Sequence, residues 1–183
     1  KIIDNGDKVR IVAKDTDISF GIADRVAVVG YGIFNMPDGE VWTAPQEHTT
    51  EGYITFTYPA IQFGRKINKI ELEFEKGKVV RASSRTNVDV LNSLIATDAG
   101  SCRLGEFGIG CNYRIKKFTN LLLFDEKIGG TIHLALGRAY EECKGKNKSV
   151  VHVDMIKDLR KQFGGGKIFI DNRLIQENGK FKI

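Results

Sequence analysis

A chain of 183 residues with 42% hydrophobic and 28% charged side chains has the ordinary composition of a soluble globular domain and is long enough to bury a core. Its longest apolar runs, such as residues 120–124, fall far short of the roughly 20 residues that span a bilayer, which excludes a transmembrane helix. The net charge of +5 and a pI near 9.1 bring nucleic acid to mind, but the lysines are scattered. Their local clusters at 114–117 and 144–148 are not interleaved with aromatics, so a solvated basic surface is expected.

The chain opens on Lys1-Ile2 with no signal-peptide pattern and no initiator methionine, which points to a piece of a longer protein. Cys102, Cys111 and Cys143 form no CxxC pair and cannot all pair with one another. Mostly structural thiols in a reducing compartment are therefore expected.

In chain order, residues 1–34 read as strands. Residues 7–13 alternate in part, 25–29 are β-branched and apolar, and Pro37-Asp-Gly39 then supplies a turn. Residues 40–44 leave that turn as a short strand with Glu40 and Trp42 on one face. Residues 52–59 are strand-like in composition. Residues 67–75 and 78–82 form a hairpin about Gly77, with Ile70, Leu72 and Phe74 facing inward.

Val88, Leu91, Leu94 and Ile95 recur at helical spacing behind Thr86 or Asn87 as cap, with Gly100 as the stop. The glycine-rich run 104–112 is too irregular for a regular element. Residues 121–124 read as a buried strand and 134–143 as a helix. Residues 150–156 alternate as a strand, and 167–179 close the chain as a terminal hairpin. The sum is a strand-rich α+β domain, a mixed sheet with one or two main helices, spanning 1–183.

Two of the three histidines fall close together in sequence, His133 behind Gly129-Gly130 and His152 two residues before Asp154. On a strand, positions i and i+2 share a face, so His152 and Asp154 can converge on one ion. Taken singly, each piece also fits a hydrogen-bonded histidine on a sheet. Glu40 and Glu106 each follow a glycine, and a donor set of O and N without thiolate suits zinc, cobalt or manganese, even a pair of ions. Gly164-Gly-Gly-Lys167 lacks the spacing and the Ser/Thr of a phosphate loop. Cys111 as a nucleophile would need a histidine to activate it.

The blocks Asn35-Met-Pro-Asp-Gly-Glu-Val-Trp-Thr-Ala-Pro45, Leu104-Gly-Glu106, Phe124-Asp-Glu-Lys-Ile-Gly-Gly-Thr-Ile-His-Leu-Ala-Leu-Gly137 and His152-Val-Asp154 together resemble the aminopeptidase T and aminopeptidase S family of cytosolic metallo-aminopeptidases. The resemblance runs from about Asp15 to the C-terminus. It implies Glu40, Glu106, His133, His152 and Asp154 as ligands of two divalent ions (Zn, Co or Mn), Glu106 as the bridging carboxylate, and Tyr140 as the active-site tyrosine. It further implies a peptide substrate with a free N-terminus, a homodimer and a cytoplasmic setting. The general base stays open among Glu40, Glu106 and, less favoured, Glu126.

Family members are about twice as long, so this chain corresponds to their metal-binding half without the N-terminal domain. Cys111-Asn-Tyr113 and Asp171-Asn-Arg173 depart from the family's forms, and the stretch from Tyr140 to His152 is short. The competing expectations are a metal-binding module without turnover and a basic nucleic-acid-binding protein.

Overall fold

The computed structural model describes all of residues 1–183. Fifteen strands build it: β1 Lys8–Ala13, β2 Thr16–Gly21, β3 Val28–Gly30, β4 Glu40–Thr43, β5 Glu51–Thr55, β6 Ala60–Gln62, β7 Arg65–Ile67, β8 Glu71–Glu75, β9 Lys78–Ser83, β10 Leu104–Gly110, β11 Thr131–Gly137, β12 His152–Asp158, β13 Gly166–Ile170, β14 Arg173–Glu177 and β15 Lys180–Phe181. Two helices, α1 Val88–Ile95 and α2 Leu122–Asp125, complete the α+β domain.

Eight strands form one sheet in the order β15-β14-β13-β1-β2-β5-β8-β9, five form a second in the order β12-β11-β10-β4-β3, and β6 pairs with β7 alone. Every ladder is antiparallel, with one parallel bridge between Asn112 and Ile128. The large sheet shows the alternation that a half-buried strand requires. Val9 and Ile11 of β1, Ile18 and Phe20 of β2, and Leu72 and Phe74 of β8 point inward while their neighbours are wetter. The five-stranded sheet meets those residues with Phe107, Ile109, Ile132, Leu134 and Leu136 in one core of 29 buried residues. Phe20 and Phe107 join the two sheets edge to face, with ring centroids 5.2 Å apart.

Three expectations are corrected. Residues 104–110 are strand β10, buried at every position, because both faces are covered and the period of two is hidden. Residues 134–143 are not helical: Leu134 and Leu136 extend β11 into the core, and only Glu141–Cys143 makes a 3-10 turn. Helix-forming Leu and Ala are overridden here by tertiary pairing on both sides. Residues 121–124 are not a buried strand. They lead into the single-turn helix α2, with Leu121, Leu122 and Leu123 exposed.

Helix α1 forms where its apolar spacing places it and buries Val90, Leu91 and Leu94. Asn87 holds the cap position, but its side-chain amide donates to the Lys66 carbonyl instead of capping. The helix ends at Ile95, and Gly100 lies in the turn beyond it. No helix is long and apolar enough to cross a membrane.

Candidate metal centre

Cross-strand partners in an antiparallel sheet share a face. In the five-stranded sheet Glu106 pairs with Ala135 and Ala135 with Asp154; Gly108 pairs with His133, Gly110 with Glu40, and Gly137 with His152. Glu40, Glu106, His133, His152 and Asp154 therefore project from one face, across β4, β10, β11 and β12. The opposite face of these strands is the core.

Glycine gives the imidazole its place. A Cβ on Gly108 would stand 2.0 Å from both Cε1 and Nε2 of His133, so the ring lies over bare backbone. His133 Nε2 lies 3.2 Å from Glu106 Oε1 and 3.6 Å from Glu40 Oε2. His152 Nε2 lies 3.3 Å from Glu106 Oε2 and 3.4 Å from Asp154 Oδ2. Glu106 thus offers one oxygen to each histidine.

All four carboxylates around these rings, Glu40, Glu106, Glu126 and Asp154, are buried. Burial pushes the Glu106 carboxyl up, but hydrogen bonds from His133 and His152 hold it at about 2. Burial drives the His133 imidazole towards its neutral form, and Glu106, Glu126 and Glu40 outweigh that and raise it. His152 is likewise raised, its desolvation overcome by Asp154 and Glu106. Glu126 is pushed up to about 7, first by burial and then by Asp154 and Glu40, against the pull of His133 and Lys127.

The donor set fits divalent cations. His152 Nδ1 donates to the Arg138 carbonyl at 2.8 Å, which leaves Nε2 facing two carboxylate oxygens. Two acceptors can be satisfied there by a proton or by a metal ion. Glu40 Oε2 and His133 Nδ1 are buried without a hydrogen-bond partner. Glu40, Glu126 and His133 bring ligand atoms within 4.8 Å of one another, as do Glu106, His133 and Asp154. Oxygen and imidazole donors without thiolate suit zinc, cobalt or manganese.

Tyr140 comes from the loop between β11 and β12, with its ring centroid 5.0 Å from that of His152 at 55°. Burial, then the Glu106 and Asp154 charges, push its phenol up to about 12, so it keeps its proton at neutral pH. Glu40, Glu106, Glu126, Tyr140, His152 and Asp154 line a cavity of about 260 Å³ together with the apolar Phe34, Trp42, Leu122 and Leu123. Burial pushes Cys111 up to about 11 and Cys143 to about 12, so neither thiol is a ready nucleophile.

The five expected ligands and Tyr140 meet in one place. Sequence reasoning missed Lys127, which is fully buried and binds Glu126 Oε1 at 2.5 Å and Glu40 Oε1 at 3.1 Å. Nothing local marks it, because Asp125-Glu126-Lys127 reads as a charged surface triplet. Gly108 and the apolar wall at Phe34 and Leu122 were missed too, since their role exists only across the fold.

Residues 4–181 match the family described as thermophilic metalloprotease (M29). The chain is similar to aminopeptidase AmpS of Bacillus subtilis, 34% identical over 171 residues, which cover 79% of this chain and 41% of the relative. It is similar to aminopeptidase T of Thermus thermophilus, 33% identical over 135 residues, covering 66% of this chain and 33% of the relative. Among solved structures, wild-type AmpT from Thermus thermophilus shares the fold with a TM-score of 0.85 at 23% identity, over 100% of this chain and 51% of that one. The chain spans from a third to about half the length of these relatives.

Proposed function

The chain belongs to the thermophilic metalloprotease family (M29), and from that premise we propose that it is the metal-binding part of an aminopeptidase that holds two divalent ions. The ligands in this proposal are Glu40, Glu106, His133, His152 and Asp154, with Glu106 shared between the two positions. One observation carries it: a buried carboxylate turns one oxygen to each of two histidines, at 3.2 and 3.3 Å. Zinc, cobalt and manganese all suit the donors. A cytoplasmic setting and a homodimer go with the family resemblance.

Divalent ions bound there supply a water acidified towards neutrality and positive charge for the carbonyl oxygen. The chain's own residues do the rest. Glu126 and Glu142 line the cavity outside the proposed ligand set, and their carboxylates favour a cationic amino terminus over an internal peptide segment. Phe34, Trp42, Leu122 and Leu123 offer an apolar wall to the side chain of the first residue.

Tyr140 keeps its proton and donates a hydrogen bond to the oxyanion as the carbonyl becomes tetrahedral. Glu126 is the group we assign to proton transfer. Lys127 holds its Oε1, and its other oxygen accepts the proton of the attacking water and passes it to the leaving amine. Burial of Glu126 on the cavity wall, outside the proposed ligand set, places it for both halves of that transfer.

Release of a chromophore from an aminoacyl anilide tests the function. The activity is expected to vanish on chelation and to return with added metal. Metal binding without release would leave a module that lacks turnover. Salt-dependent oligonucleotide binding by metal-free protein would favour the nucleic-acid alternative.

A further inference from the structure

Two cavities meet at Tyr140. The first holds the acidic cluster and the apolar wall. The second, about 670 Å³, lies on the other side of Tyr140 and Glu142, which line both. Its chemistry is different, because it is polar and carries Arg138, Lys146 and Lys148. Arg138 stands over the Tyr140 ring with Cζ 5.8 Å from the centroid. Its main chain is fixed on both sides: the amide donates to the Val151 carbonyl at 2.7 Å, and the carbonyl accepts from His152 Nδ1 at 2.8 Å. The guanidinium is exposed and makes no hydrogen bond or ion pair, although Glu141 and Glu142 border the same cavity. An anchored, unspent guanidinium beside an acidic site is set up for an anion that arrives with the ligand.

We propose that Arg138 binds the C-terminal carboxylate of short peptides, which makes di- and tripeptides with a free C-terminus the favoured substrates. The inference rests on the aminopeptidase reading for the direction of the chain. The amino terminus and its side chain occupy the acidic and apolar cavity, so the residues beyond the scissile bond run past Tyr140 into the polar one. The Tyr140 ring lies 5.0 Å from the His152 ring and 5.8 Å from Arg138 Cζ, and each extended residue advances about 3.3–3.6 Å, so one or two residues beyond that bond bridge from His152 to Arg138. The guanidinium fork donates to both carboxylate oxygens, a pair that an amide or a longer chain does not offer at that distance.

The test compares a leucyl dipeptide as free acid with the same dipeptide as its C-terminal amide, on metal-loaded wild type, R138Q and R138K. The readout is the ratio of kcat/KM for acid over amide, so any general effect of the variant on Tyr140 cancels. Wild type is expected to prefer the acid by about tenfold, R138Q to bring the ratio close to one, and R138K to fall between. An R138Q ratio equal to that of wild type overturns the inference, including the case where both substrates lose activity alike. If wild type binds metal but hydrolyses neither substrate, the chain is a module without turnover, an outcome that bears on the aminopeptidase reading and not on Arg138. Calorimetric binding of the same acid and amide then decides Arg138: a preference for the acid lost in R138Q supports it, and equal binding refutes it.

Discussion

Gly108→Ala is the sharpest perturbation the site allows, because it adds one methyl group and removes no ligand. The new Cβ would sit 2.0 Å from His133 Nε2 and Cε1, whereas ordinary contact begins near 3.4 Å. The ring must therefore move by roughly 1.4 Å, or β10 must move away from it. His133 is only 1% exposed and cannot swing into solvent. Overpacking of this kind costs about 1–3 kcal/mol, or about 2–12 °C in Tm for a chain of this size. With His133 as a ligand, as proposed, a displacement that large is expected to weaken metal binding by more than about tenfold, comparable to the loss of an outer-shell partner. Thermal unfolding with and without zinc, together with a metal titration, reads both effects. Wild-type affinity and an unshifted Tm in G108A would refute the placement of His133 over the glycine.

Other predictions follow from the same geometry. E106Q keeps the shape of the side chain but removes the shared charge, and bound metal is expected to fall from about two equivalents to one or none by elemental analysis. Y140F is expected to keep its metal and lose about 10²–10³ in kcat; an unchanged kcat would remove Tyr140 from oxyanion stabilisation.

Lys157 gives a pH test away from the site. Burial depresses its ammonium to about 8, while an unfolded lysine titrates near 10.4, so between these values the unfolded chain binds more protons and stability rises with pH. Below pH 8 the buried charge costs about 2–3 kcal/mol, partly offset by its 2.8 Å hydrogen bond to the Lys14 carbonyl. K157M is expected to melt above wild type at pH 7, with the gap closing by pH 10.5. An equal gap at both pH values would contradict this.

How much of this was legible in the sequence depends on how many faces of each strand are covered. Strands β1 and β8 lie where one face is wetter and the alternation survives, and β12 alternates in residue type although both its faces are covered, whereas Thr16 and Asp17, turn-formers by composition, open strand β2. β10 and β11 are buried on both faces, so Gly105, Gly108 and Gly110 read as irregular, and the Leu-Ala-Leu run of β11 read as helix. The placement of His152 and Asp154 on one face followed from a period of two within a single strand. The meeting of Glu40 with His133 did not, because it depends on Gly110 and Gly108 aligning β4, β10 and β11. The resemblance to a known family supplied that long-range pairing, and local patterns did not. Lys127 was invisible because a buried lysine is recognised only by the carboxylates it meets.

Anomalous diffraction from crystals of the zinc- or manganese-loaded protein would locate the ions themselves. Two peaks about 3.5–4 Å apart are expected, one on either side of the Glu106 carboxylate, with His133 at one and His152 at the other. No peak at this sheet face, or a single ion that Glu106 does not touch, would contradict two ions sharing Glu106.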